Sequence, residues 1–246
     1  MRTITTIASL TAGVCAAGGL LATPAQADAP TRQYEVTITV RAAGQPLTPP
    51  LVAIHRGSVG VFDVGHPATV GVQQIAENGD LARLHASLTG TAAVADVAAA
   101  AAPLVPAGVP GDGAFDQSVT LAVAGSPDAR FLSWVSMLIC TNDGFTGVSG
   151  LRLPARVGES VTERTAGYDA GTELNTEDFA DIVPPCQGLI GISSGEPGTG
   201  TSNPALAEGG LITHHPGIVG GADLVPAVHG WDIAAPVAQI TVERVS

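Results

Sequence analysis

The segment RFLSWVSMLIC, residues 130–140, is apolar on both of its faces. At period two, Leu132, Trp134 and Leu138 point one way and Phe131, Val135 and Ile139 the other. A strand of this kind must be packed on both sides, so it is expected at the centre of a sheet that carries a layer above and below it. Four further segments read as strands around it. YEVTITVR (34–41), QSVTLAVAG (117–125) and PVAQITVERV (236–245) alternate between apolar and other residues, and LVAIHR follows the break GQPLTPP. Frequent glycine and proline turns separate them. The stretch VGVQQIAENGDLARLHASLTG is different. Its residues tolerate a helix, and Asn78-Gly79-Asp80 interrupts them. Together with AAVADVAAAAAP it predicts two short helices, or a helix-turn-helix excursion, over roughly 70–101, although the alanine run reads equally well as a low-complexity insertion. The pattern as a whole predicts an all-β chain, an antiparallel β-sandwich with a short helical insertion.

Residues 1–27 read as a secretory signal peptide. An arginine near the start precedes a run of apolar and small residues that ends in Ala25-Gln26-Ala27, an A-x-A cleavage pattern. Residues 28–246 then form one domain, with no second apolar stretch long enough to span a bilayer. Cys15 falls within the leader, which leaves Cys140 and Cys186. An even cysteine pair in an exported chain predicts a disulfide. The chain has no lysine, and its 22 acids outnumber its 10 arginines. That charge disfavours nucleic acid and anionic lipid as partners and favours cations.

Only 13% of the residues are charged, yet acids gather in two turn-like segments. TNDGFTGVSGLRLP (141–154) carries Asp143, and YDAGTELNTEDFAD (168–181) carries five more carboxylates. A hard divalent cation such as Ca²⁺ takes six to eight oxygens. Asp143, Asp169 and Glu173 offer three carboxylates, and Asn142, Asn175 and Thr172 offer neutral oxygens. The competing reading is a set of solvated acids that cap turns. The segment is not an EF-hand, because Gly171 and Leu174 stand where that loop needs an oxygen ligand and a glycine.

The six histidines lack zinc-site spacing. The HHPGIVGGADL segment is expected to pack near the acidic loops. Gly191–Gly195, GISSG, matches the nucleophile-elbow pattern, and Asp223 and His229 follow in hydrolase order. That motif needs a strand before Ser193 and a helix after it, whereas EPGTGTSNP follows.

TNDGFTGVSGLRLP and AGYDAGTELNTE together resemble the spondin domain of extracellular-matrix proteins and of stand-alone bacterial secreted proteins. The likeness extends to YEVTITV…GQPLTPPLVAIHR, VFDVGHPA, LARLHASL, HHPGIVGGADL and PVAQITVERV. It implies a C2-like β-sandwich with calcium bound in loops at one end. By position, the family's metal ligands fall on Asp143, Asp169 and Glu173. The last is an aspartate in animal members, so this chain's ligand is one methylene longer. The function implied is a secreted, non-enzymatic, calcium-binding adhesion or interaction module, extracellular or in the cell envelope, that meets a protein or glycan surface. Two alternatives stay open: a secreted serine hydrolase using Ser193, Asp223 and His229, and a purely structural envelope domain.

Overall fold

A computed structural model describes residues 31–246, and the expected leader, 1–27, lies outside the described residues. Among the described residues, ten strands form two antiparallel sheets. They are β1 (Arg32–Val40), β2 (Leu51–His55), β3 (Val94–Ala99), β4 (Ser118–Gly125), β5 (Phe131–Met137), β6 (Gly144–Arg152), β7 (Ser160–Thr165), β8 (Gly167–Asp169), β9 (Thr213–His214) and β10 (Ala238–Arg244). One sheet has the order β4-β1-β10-β7, and the other β3-β2-β5-β6-β8-β9. The fold is the expected all-β sandwich.

Alternation sets the packing. In β1, Tyr34, Val36, Ile38 and Val40 are fully buried, and they meet Leu132 and Trp134 of β5 between the sheets. The other face of β5 presents Val135 and Met137 to a second core, closed by helices α1 (Val70–Asn78), α2 (Ala82–Thr89) and α3 (Pro185–Ile190). β5 is therefore covered on both faces, as its sequence requires. Each large apolar side chain buried this way contributes about 1.5–3 kcal/mol. The Cys140–Cys186 disulfide, with Cα atoms 5.1 Å apart, ties the chain beyond β5 to α3. Beside it, the buried Gln45 donates to the carbonyls of Cys140 and His229 and accepts from the Cys140 N–H.

The helical excursion is shorter than expected. Thr69 caps α1, accepting from Val72 N, and Gly79 ends it at φ 66°, a left-handed conformation suited to glycine. Residues 94–99 are not helical but form β3, an edge strand paired with β2. Alanine's helix preference yields there to pairing with an open sheet edge. The Asp96 carboxylate also accepts from Val97 N and Ala124 N, which links β3 to β4 in the other sheet. GFTGVSGLR, expected as turn, is the nine-residue strand β6. Its glycines hide the strand pattern. A Cβ on Gly147 would collide with the Trp134 carbonyl, beside the register shift between Leu132 and Trp134.

β1 and β10 lie side by side, with Tyr34 opposite Arg244. Gln33 and Ser246 exchange backbone hydrogen bonds, so residues 33 and 246 meet at one pole of the sandwich. From there β1 runs towards the Cys140 pole.

Candidate metal centre

The acidic segments are brought together by strand pairing. β6 pairs with β8 so that Gly144 faces Asp169, and the Ala170 N–H donates to the Asp143 carbonyl. Asp143 and Asp169 thus become neighbours although 25 residues separate them in sequence. The turn into β6 is tight. Thr141 Oγ1 donates to the Leu138 carbonyl and accepts from Gly144 N, and a Cβ on Gly144 would strike that hydroxyl.

The Asp143 side chain is fully buried. Its Oδ2 accepts from Thr172 N at 2.7 Å, Glu173 N at 3.1 Å and Thr172 Oγ1 at 3.2 Å. Its Oδ1 is buried and has no hydrogen-bond partner. Asp169 accepts from Gly171 N and, at 2.6 Å, from Asn175 Nδ2. Glu173 accepts from Asn203 N through Oε1. Thr172 and Asn175 therefore hold carboxylates in place as donors. Asn142 instead fastens the loop at residues 176–177: its Oδ1 accepts from Glu177 N and its Nδ2 donates to Thr176 Oγ1.

The electrostatics are strained. Burial, and after it the Asp169 charge, raise the Asp143 pKa from 3.8 to about 7. Glu173 is also raised to about 7, first by burial and then by the charges of Glu77, Asp143 and Asp181, against the lowering effect of the Asn203 N–H. A cation relieves such crowding, and the lone Asp143 Oδ1 is the kind of hard oxygen it binds. By donor chemistry the set would suit a hard cation such as calcium, and Asp143, Asp169 and Glu173 are the residues that would hold it.

Two other clusters bring three ligand atoms within 4.8 Å of one another among the described residues, whereas the Asp143, Asp169 and Glu173 set does not close to that distance. In Cys140–Cys186–His229, both sulfurs are committed to the disulfide. In Asp178–Glu196–Asp223, Asp178 accepts from Ala180 N and Asp223 from Phe179 N, while hydrogen bonding to Asp178 raises the Glu196 pKa. That cluster holds its charges partly exposed, with hydrogen bonds already in place.

Glu177 was not singled out in the sequence, since it sits among similar acids. It adopts a positive φ of 56°. Its buried carboxylate accepts from the N–H groups of Val219, Gly220 and Gly221 at 2.5–2.6 Å. This clamp fastens the HHPGIVGGADL segment to the acidic loop, as expected. In the same segment, burial lowers the His215 pKa to about 4, and its ring packs 5.2 Å from Trp231.

The profile of the Spondin_N family matches residues 43–179, more than half of the chain. The chain belongs to the Spondin_N family. No curated protein matches it. The spondin match takes in Asp143, Asp169 and Glu173 and stops before Glu196, His215 and β10. The spondin family is extracellular, and no helix among the described residues is long and apolar enough to cross a membrane.

The hydrolase constellation is not assembled. α3 precedes GISSG and a loop follows it, so Ser193 sits on no strand–turn–helix elbow. Its Oγ donates to Gln187 Oε1 and accepts from Gly195 N. His229 is buried beside the disulfide and accepts from Val225 N, and Asp223 accepts from Phe179 N. None of the three hydrogen-bonds another.

Proposed function

We propose that this protein is a non-enzymatic, calcium-binding interaction module that presents its loaded loops to an extracellular protein or glycan surface. The observation that carries the reading is Asp143: one carboxylate oxygen is fixed by three donors, and the other is buried without a partner. Asp169 and Glu173 complete a hard, anionic donor set, and backbone carbonyls and water fill the remaining positions. Calcium offsets the mutual repulsion of the acids and so orders the 169–177 loop. Family membership supports the extracellular setting, and the net negative charge argues against nucleic acid as the partner.

Thermal melts with calcium and with chelator test the metal. A ligand that binds only the folded state stabilises it by about 2.7 kcal/mol at a hundredfold excess over Kd. Asp169→Ala and Asp143→Ala are expected to abolish most of that gain, and Asp178→Ala to leave most of it. A wild-type midpoint that ignores both additives overturns the reading. So does a calcium response that Asp178→Ala removes as fully as Asp169→Ala.

A further inference from the structure

The alternation that buries Tyr34, Val36 and Ile38 places Arg32 on the same inward side of β1, and in β10 it places Arg244 on the side of Ile240 and Val242. Tyr34 pairs with Arg244, so the inter-sheet core ends in arginines at the pole where residues 33 and 246 meet. Two more arrive from the other sheet. Arg130 immediately precedes β5, and Arg152 ends β6 opposite Phe131. A cavity of about 120 Å³ opens here, lined by Arg32, Tyr34, Arg130, Arg152 and residues 153–155, with no acid among its walls. The ion pairs among the described residues are Arg56–Asp128 and Arg156–Glu159, so none of the three lining arginines is paired with a carboxylate there. Arg244 fixes the rim by donating to the carbonyls of Ala155 and Ser246. In a chain with 10 arginines, no lysine and 22 acids, unpaired positive charge gathered at one end is not a by-product of composition.

Tyr34 is an independent pointer to a ligand. The residue is fully buried, yet its hydroxyl has no hydrogen-bond partner. A buried phenol normally finds one, because an unpaired hydroxyl in the interior is costly. Its O–H can donate, and the other polar side chains of the cavity are guanidinium groups, which only donate. A set of donors calls for a ligand made of acceptors.

We propose that this cavity binds a tetrahedral oxyanion, a phosphate or sulfate group, with Arg32, Arg130 and Arg152 as charged donors and Tyr34 as the neutral one. Guanidinium forks suit such oxygens because two parallel N–H groups meet two oxygens of one ligand. The site is separate from the acidic loops and does not depend on the calcium reading. It gives the domain an anion-binding pole opposite its acidic one.

Calorimetric titration in chelator, at ionic strength matched with chloride, tests the site. Inorganic phosphate and sulfate probe the free ion, and glucose 6-sulfate probes the same group on a sugar. Wild type is expected to bind one anion per chain saturably, and the tighter probe assigns the free ion or the ester as its source. Arg130 and Arg152 are exposed, so Arg130→Gln and Arg152→Gln leave the core intact, and each is expected to weaken binding about tenfold. Tyr34→Phe is expected to weaken binding as well, yet to melt no lower than wild type without anion, since it removes an unpaired buried hydroxyl. Asp143→Asn is expected to bind the anion as wild type does. A wild type that binds none of the three probes overturns the proposal. So does binding that Arg130→Gln and Arg152→Gln leave unchanged, which is a general effect of salt on the protein surface.

Discussion

Replacing Asp143 by asparagine keeps the shape of the side chain and removes its charge. The structure sets the sign of the effect. Because the carboxyl pKa in the fold is about 7 against 3.8 ordinarily, the native state holds the proton more tightly than the unfolded chain. Its contribution to stability is full below pH 4 and is lost as pH rises through 7. The difference of about 3 units corresponds to about 4 kcal/mol. Metal-free wild type at pH 8 carries this penalty, and the asparagine variant does not. Asp143→Asn is therefore expected to be more stable than wild type in chelator at pH 8, by up to about 4 kcal/mol, or on the order of 10 °C in melting temperature. At pH 4 the two proteins are expected to melt alike. Calcium at pH 8 is expected to shrink the gap, since it stabilises wild type and leaves the variant nearly unmoved. Calorimetric melts at the two pH values, with and without chelator, provide the measurement. A variant that is less stable than wild type in chelator by the same margin at both pH values would refute the reasoning, because the buried charge would then carry no cost.

Two further outcomes follow from the surroundings of the centre. Cys140 and Cys186 are 46 residues apart, so replacing both by alanine is expected to lower stability by about 4 kcal/mol in a urea titration, and wild type is expected to gain two hydrogens in mass on reduction. Glu177→Gln removes the charged acceptor of three backbone N–H groups, with an expected loss of about 2–3 kcal/mol and faster hydrogen exchange at Val219–Gly221 than elsewhere in the chain.

Much of the sandwich was legible because its strands keep a strict period. β1 and β10 alternate cleanly, and β5 announces a two-sided burial that the two cores supply. β3 and β6 were not legible for opposite reasons. In β3, alanine carries a helical preference that the open edge of β2 overrides. In β6, glycines that make room for the β5 backbone erase the strand signal. At the centre, residue chemistry singled out Asp143, Asp169 and Glu173, and β6–β8 pairing brings the first two side by side. Asn175 and Thr172 were read as oxygen donors to a metal, but they donate hydrogen bonds to the carboxylates instead. Glu177 looks like its acidic neighbours until the loop at 219–221 folds over it.

The pairing of β1 with β10 also sets how the domain answers mechanical load. Residues 32 and 244 sit at the same pole, on neighbouring antiparallel strands. Force that separates them opens the β1–β10 ladder like a zipper, breaking one pair of hydrogen bonds at a time, so the domain yields at low tension. Force between residue 244 and the acidic loops at the far pole runs along the strands instead. It must shear many hydrogen bonds together, and the Cys140–Cys186 crosslink keeps the loaded end from peeling away. A spondin domain held at the β10 end and gripped through its acidic loops is therefore loaded in its strong direction.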